Sequence, residues 1–269
     1  MPELPEVETE RRRLADRAEG RRIAHARIDD ARLTRPEDPR LVAARLEGAR
    51  VVAVDRRGKY VVVRLDGGDA LLVHLRMTGG FRYEPASHER AVLELEDGTR
   101  VAYRDTRRFG TWLLLDADDA GRLLDVKNGP EPLGPRFTTR FLAGRLAGRR
   151  APVKAAILDQ RTVAGLGNIY AVEALWYAGV DPRRPAGELE ADEVAALRTG
   201  IRRALRLGIR HQGADLGDGA YAGGRMQDRF RVYGREGEPC LRCGTPIERT
   251  VVAGRGTWYC PACQAAKRR

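Results

Sequence analysis

Asn128-Gly-Pro-Glu-Pro-Leu-Gly-Pro-Arg136 packs three prolines and two glycines into one short stretch, a composition that suits neither a helix interior nor a central strand. It reads as a linker, and the chain changes character across it. Residues 1–131 carry 25 basic and 25 acidic side chains, residues 132–269 carry 24 and 13, so the net charge of +11 lies wholly in the second half. A neutral half joined to a strongly basic one points to a polyanionic partner for the second. An Arg-rich composition with incidental basic patches is the plainer source of the same imbalance.

Before the linker, residues 3–19 read as a helix. Pro5 suits its first turn, Glu6, Glu8 and Glu10 suit the positive end of its dipole, and Gly20 suits its stop. From Arg22 to about Asp116 the hydrophobic period becomes two. The β-rich runs are Arg50–Asp55, Tyr60–Leu65, Ala70–Leu75, Ala91–Glu96, Arg100–Arg104 and Thr111–Leu115. Asp66-Gly67-Gly68-Asp69 and Asp97-Gly98 separate some of them as turns. An antiparallel β-sandwich or barrel behind a leading helix is predicted.

After the linker the pattern turns helical. Val153–Gln160 is short and apolar, and Asn168–Tyr177 follows the glycine turn Ala164-Gly165-Leu166-Gly167. Asp192–Arg210 sets Val194, Leu197, Ile201 and Leu205 on one face and Arg198, Arg202, Arg203 and Arg206 largely elsewhere. Residues 213–228, rich in Gly and Asp, read as a mobile loop. The fold class is α+β and multidomain, with segments at 1–130, 131–230 and 231–269. The 269 residues, 42% apolar and 32% charged, suit a globular protein. No apolar run approaches the roughly 20 residues that span a bilayer. The acidic, proline-punctuated opening Met1–Glu6 is not a secretory signal, so a cytosolic location is expected.

All four cysteines fall near the C-terminus as Cys240-x2-Cys243 and Cys260-x2-Cys263, sixteen residues apart. Two such knuckles predict one tetrahedral zinc ion with four thiolate ligands and no open position, hence structural. A hairpin this small would draw much of its folding free energy from the metal. Two disulfides are the other use of four cysteines, one that a cytosolic setting disfavours. Zinc ribbons bind DNA, bind proteins or merely brace a fold, so the ribbon alone names no function.

The N-terminus is itself a chemical group. Met before Pro is normally removed, which would expose the amine of Pro2. An α-amino group is about one-tenth neutral at pH 7, several hundredfold more than an ordinary Lys. A secondary amine attacking a sugar C1′ gives an iminium directly, and Glu3 and Glu6 stand beside it to move protons. A helix start with acidic caps is the plainer reading of the same residues. Lysine is scarce, with only Lys59, Lys127, Lys154 and Lys267 against 45 arginines, so each marks a place where a compact ammonium could matter.

Read together, several segments resemble the bacterial formamidopyrimidine-DNA glycosylases of the Fpg/Nei family. They are Met1-Pro-Glu-Leu-Pro-Glu-Val-Glu-Thr9, Arg57-Gly58-Lys59-Tyr60, His74-Leu-Arg-Met-Thr-Gly79 and Asp105-Thr-Arg-Arg-Phe-Gly110. Asp159-Gln160 with Val163–Tyr170, then Val232-Tyr233-Gly234-Arg235 and the four cysteines, complete a collinear set spanning nearly the whole chain. The resemblance implies an N-terminal β-sandwich, a helix–two-turn–helix domain and a four-cysteine zinc-finger hairpin. It implies base-excision repair of double-stranded DNA by a bacterial cytoplasmic monomer with one structural Zn2+. The expected reaction removes oxidised purines, above all 8-oxoguanine opposite cytosine, and then nicks the abasic strand by β,δ-elimination. Pro2 would be the nucleophile, Glu3 the general acid/base, Glu6 a supporting group and Lys59 a proton donor or phosphate partner.

A flipped base leaves a gap that apolar wedges and guanidinium groups usually fill. Met77, Arg107 and Phe109 match the family's three fillers. His74, Asn168, Tyr233 and Arg255 would clamp phosphates, and Lys154 joins them as a DNA contact. Thr106, Asn128 and the loop 213–228 depart from the commoner family pattern. That loop covers the flipped base in relatives, so its departure bears on lesion preference. Two rivals remain: an endonuclease VIII-like enzyme for oxidised pyrimidines, and a non-catalytic zinc-ribbon DNA-binding protein.

Overall fold

The computed structural model describes residues 1–215 and 223–265. The chain divides into two compact units. The first comprises residues 1–126 with the described ends of the loop at 212–215 and 223–224; the second comprises residues 127–211 and the chain from Arg225 onward.

The first unit opens with α1 (Leu4–Ala18), followed by β1 (Ile23–Ile28), α2 (Pro39–Leu46), β2 (Val51–Arg57), β3 (Tyr60–Leu65) and β4 (Asp69–His74). Next come β5 (Gly79–Arg82), β6 (Glu89–Leu95), β7 (Arg100–Asp105), β8 (Thr111–Asp116) and α3 (Ala117–Lys127). The strands form two antiparallel four-stranded sheets, ordered β1-β6-β7-β5 and β2-β3-β4-β8. One apolar core draws Val51, Val63, Leu71, Val73 and Trp112 from one sheet and Phe81, Leu93, Leu95 and Val101 from the other, with Leu14 and Ala18 of α1. This is the sandwich the period of two predicts.

Two helices were not legible in that period. Asp38 caps α2 by accepting from Arg40 N at 2.8 Å, and Pro39 supplies a preset first turn. On the other side, α3 lays Ala120 and Leu124 over Tyr60, Val62, Ala70 and Leu72, so β3 and β4 are buried on both faces. That second cover explains why their sequences run apolar without strict alternation.

The second unit begins with the linker, whose residues 128–136 form neither helix nor strand. It continues with α4 (Thr139–Leu146), α5 (Val153–Leu158), α6 (Asn168–Ala178), α7 (Ala191–Arg210) and the hairpin β9 (Glu248–Val252) and β10 (Arg255–Tyr259). Thr138 caps α4 by accepting from Phe141 N, a start signal embedded in the polar run that follows the linker. The finger is not an appendage of this unit. Cys240, Ile247 and Cys260 share an apolar cluster with Val172 and Trp176 of α6 and with Val232. Of the loop expected to be mobile at 213–228, residues 216–222 lie outside the described residues. Among the described residues no helix is long and apolar enough to cross a membrane.

Candidate functional site

In the first unit the chemistry gathers at the start of α1. Met1 is 36% exposed, while Pro2 and Glu3 behind it are buried. Glu3 is the N-cap, and it and Glu6 form a reciprocal capping box in which Glu6 Oε2 accepts from Glu3 N at 2.9 Å. The other oxygen of Glu6 accepts from Ala214 N at 2.8 Å, fastening the beginning of the loop at 213 to the helix start. Gly213 sits at φ +79°, and a Cβ there would come within 2.7 Å of the Glu6 side chain. Both oxygens of Glu6 therefore hold backbone, a positioning duty that fits a supporting group better than one that transfers protons. No local pattern announces the Glu6–Ala214 link, because the partners are 208 residues apart.

Lys59 follows Gly58 in the two-residue turn joining β2 to β3, and it is buried. His74 ends β4 directly opposite Tyr60, edge-on to its ring at 4.7 Å. Its Nδ1 accepts from Arg76 N at 3.0 Å, which assigns the ring proton of the neutral tautomer to Nε2. A donor fixed in this way suits an anion.

Met77, Arg107 and Phe109 lie on two neighbouring turns, and their placement depends on Asp105, to which sequence reasoning gave no role. Asp105 is 1% exposed. Its Oδ1 accepts from the Thr78 hydroxyl and from Arg107 N at 3.2 Å, and its Oδ2 accepts from Gly110 N at 2.7 Å. One buried carboxylate thus pins both ends of the turn and ties it to the turn that carries Met77. A Cβ at either Gly79 or Gly110 would overlap the Tyr103 hydroxyl, so glycine is required where the turns close. Outside, Arg108 forks onto Asp30 at 2.6 and 2.8 Å. Arg107 and Phe109 are left exposed, the guanidinium 4.8 Å over the ring and Phe109 51% accessible.

The second unit carries the remaining predicted residues. Gly167 takes the N-cap of α6, and Asn168 is the first helical residue. The Asn168 amide donates to Gly256 O at 3.1 Å, so this half-buried side chain binds the finger hairpin. Lys154 departs furthest from expectation. It is fully buried, and its Nζ donates to Thr257 Oγ1 at 2.7 Å, to the same Gly256 O at 3.2 Å and to Arg255 O at 3.5 Å. Lys154, expected as a DNA contact, gives its ammonium to the hairpin that presents Arg255. Arg255 itself is exposed and begins β10, just after the turn Ala253-Gly254.

Tyr233 packs its ring against Trp258 and Phe230, with centroids 4.6 and 5.2 Å apart. Its segment is held by Glu173, another residue without a sequence-level role. Glu173 is fully buried and accepts from the backbone N–H groups of Arg231, Val232 and Tyr233 at 2.9–3.0 Å. Burial pushes its carboxyl above the ordinary range, and those three donors oppose the push.

The four cysteines are free thiols whose sulfur atoms all lie within 4.8 Å of one another. Individual separations are 3.4 Å for Cys243–Cys263, 3.5 Å for Cys243–Cys260 and 3.9 Å for Cys240–Cys263. Sulfurs about 2.3 Å from a tetrahedral zinc stand about 3.8 Å apart, so the set fits such an ion. Arg242 N and Trp176 Nε1 each point at Cys240 Sγ from 3.4 Å, donors suited to a thiolate. Four sulfurs saturate a tetrahedron, which makes the metal a structural one.

Residues 1–112 match the family described as formamidopyrimidine-DNA glycosylase N-terminal domain. Residues 128–218 match the formamidopyrimidine-DNA glycosylase H2TH domain, and residues 237–266 match the zinc finger found in FPG and IleRS. The formamidopyrimidine-DNA glycosylase of Chloroflexus aggregans is 48% identical over 98% of both chains. The crystal structure of the MutM (Fpg) protein of Thermus thermophilus has a TM-score of 0.90 at 43% identity, covering 99% of this chain and all of that one. Lactococcus lactis Fpg in complex with DNA containing Fapy-dG has a TM-score of 0.90 at 34% identity over 98% of this chain and all of its own. The same L. lactis protein on abasic-site DNA gives 0.91. With a buried Pro-Glu helix start, a pinned Arg–Phe turn and a four-thiol finger in the matching order, this chain belongs to the formamidopyrimidine-DNA glycosylase family of DNA repair enzymes.

Proposed function

We propose that the chain is a bifunctional DNA glycosylase and AP lyase that removes oxidised purines, 8-oxoguanine opposite cytosine and formamidopyrimidines, from double-stranded DNA. The observation that carries this reading is the N-terminal turn, where buried Pro2 directly precedes the buried Glu3, whose backbone N–H is held by Glu6.

Loss of Met1 leaves Pro2 with a secondary amine, whose neutral form is the nucleophile. Its lone pair attacks C1′, the N-glycosidic bond breaks, and the base departs with that electron pair. The Pro2 nitrogen then gives up its proton, which the departing base anion takes. Glu3 protonates O4′ as the sugar ring opens, leaving an iminium between Pro2 and C1′. The iminium acidifies C2′–H. Removal of that proton expels the 3′-phosphate, a second elimination expels the 5′-phosphate, and water releases the sugar remnant from Pro2.

The extruded base leaves a gap for Met77, Arg107 and Phe109, with Arg107 meeting the widowed cytosine. Lys59, His74, Asn168, Tyr233 and Arg255 hold the phosphates, Asn168 chiefly by steadying the hairpin. Zinc is the ion of the finger, and its role is to shape that hairpin. The enzyme acts as a monomer in the bacterial cytoplasm.

The test pairs two substrates with one variant. Excision of 8-oxoguanine opposite cytosine should exceed that of thymine glycol, and borohydride should trap wild-type protein on the lesion strand but not Pro2→Gly. A preference for the pyrimidine lesion would reassign the substrate. Equal trapping of Pro2→Gly would remove Pro2 from the mechanism.

A further inference from the structure

The arginines that the α7 periodicity leaves off the core are not used by any step above. Arg198, Arg202, Arg206 and Arg210 follow one another at four-residue intervals along α7, and with Arg203 and Arg231 they line an open groove of about 530 Å3 within the second unit. Steps of four residues are about 6 Å each, so the row extends about 18 Å. Arg203 stacks 4.4 Å over the ring of Tyr177, whose hydroxyl accepts from Arg231 Nε at 3.4 Å. Arg202 donates to the linker carbonyls of Leu133 and Gly134, and Arg198 to that of Phe137 just after the linker, at 2.7–3.3 Å. Among the described residues none of the six forms an ion pair with a carboxylate.

Like charges at this spacing on one helix face destabilise it. Burial and the neighbouring guanidinium groups of Arg198 and Arg206 already loosen the proton of Arg202. A row of cations that costs stability and lacks internal counter-ions is explained by an anion from outside. A single small anion would call for convergent donors at one point, whereas this is a line. One strand of duplex DNA advances about 3.4 Å along the helix axis per phosphate, so about 18 Å of groove is long enough to meet several phosphates of one strand. Guanidinium forks suit phosphate oxygens.

We propose that the α7 groove is a second DNA site, which takes the phosphate backbone of undamaged duplex while a lesion-bearing duplex occupies the active site. It rests on duplex DNA being the substrate, and it adds a surface by which the enzyme holds one stretch of DNA while working on another.

The experiment saturates full-length protein with a 13-base-pair duplex carrying a stable abasic analogue, then titrates in a fluorescently labelled, undamaged 20-base-pair duplex across a salt series. Wild type should bind the second duplex in the micromolar range typical of non-specific contacts, roughly 10⁻⁶–10⁻⁴ M. The variant Arg203→Gln/Arg206→Gln/Arg210→Gln keeps the two arginines that hold the linker. It should bind the second duplex about a hundredfold more weakly at 0.1 M salt, with a log–log slope shallower by about 2.7. Its excision of 8-oxoguanine from a 13-base-pair duplex should be unchanged, which also reports an intact fold. No ternary complex with wild type, or unchanged second-duplex affinity in the variant, overturns the proposal. So does a proportional loss of excision on the short duplex, which would place the arginines on the lesion strand. Displacement of the labelled duplex by polyglutamate at lower charge concentration than by unlabelled duplex would assign the groove to an acidic protein instead. Failure of wild type to excise from the short duplex would instead count against the substrate reading.

Discussion

Two turns, one in each unit, present an arginine to solvent, and they are pinned by buried charges of opposite sign. At 105–110 the pin is the Asp105 carboxylate, which gathers the N–H groups of Arg107 and Gly110 and the hydroxyl of Thr78. At the β9–β10 hairpin the pin is the Lys154 ammonium, which gathers the carbonyls of Arg255 and Gly256 and the hydroxyl of Thr257. Each buried ion matches the polarity that the backbone turns inward: N–H groups call for an anion, carbonyls for a cation. An ion hydrogen-bonded on several sides tolerates burial, while the groups it holds lose partners if it is removed. A rigid turn in turn lets an exposed side chain keep its geometry before DNA arrives, which lowers the ordering cost of binding.

Removing the anionic pin should have the largest effect. Asp105→Ala leaves the Thr78 hydroxyl and Gly110 N–H without their acceptor, while Arg107 N–H keeps Thr78 Oγ1 at 3.0 Å, and is expected to cost about 3 kcal/mol of stability in the first unit, measured by urea denaturation. Excision of 8-oxoguanine should fall at least about a hundredfold even where the protein is still folded, because Arg107 and Phe109 lose their register. A variant as active as wild type would show that the turn needs no pin.

Lys154→Met tests the cationic pin. The expected loss is about 2 kcal/mol, with weaker DNA binding and a salt slope shallower by about one phosphate contact, as Arg255 loses its support. Arg255→Ala should give the same slope change with unaltered thermal stability. If Lys154→Met changed stability but left the salt slope intact, the lysine would be a core residue and no more.

The smallest effect belongs to the outer brace. The hydrogen-bonded Arg108 guanidinium holds the Asp30 carboxyl below its ordinary range. A depressed carboxyl contributes stability above its unfolded pKa, near 4, and that contribution fades as pH falls through the lower folded value. Asp30→Asn should therefore change excision at neutral pH by less than about fivefold, because the Arg108 guanidinium of this pair is open to solvent. The difference between variant and wild type should vanish in acid, as followed by hydrogen exchange of residues 105–110. A difference that grew with acidification would contradict the sign.

This contrast also marks what the sequence could tell. The helix at 3–19, the strand runs and the two CxxC knuckles were legible because local periodicity and ligand spacing specify them. The helix at 117–127 was not, since Ala117-Asp-Asp-Ala-Gly-Arg shows no apolar stripe until Leu123-Leu124 meets the sheet. Of the candidate site, motifs singled out the exposed Arg107, Phe109 and Arg255 and the four cysteines. The buried ions that position them were not legible. Asp105 lies inside the Asp105–Gly110 motif with no role read for it, Glu173 carries no local signal, and Lys154 was expected as a DNA contact. Their duties depend on which backbone groups the fold turns toward them, and only tertiary structure supplies that.

Covalent capture by the first processed residue is the claim on which the rest depends. Peptide mapping by mass spectrometry of the borohydride-trapped protein–DNA complex tests it most directly. The account predicts that the adduct mass resides on the N-terminal peptide beginning at Pro2, with Met1 absent. An adduct carried by Lys59 or any other internal residue, or one formed on protein that retains Met1, would contradict it.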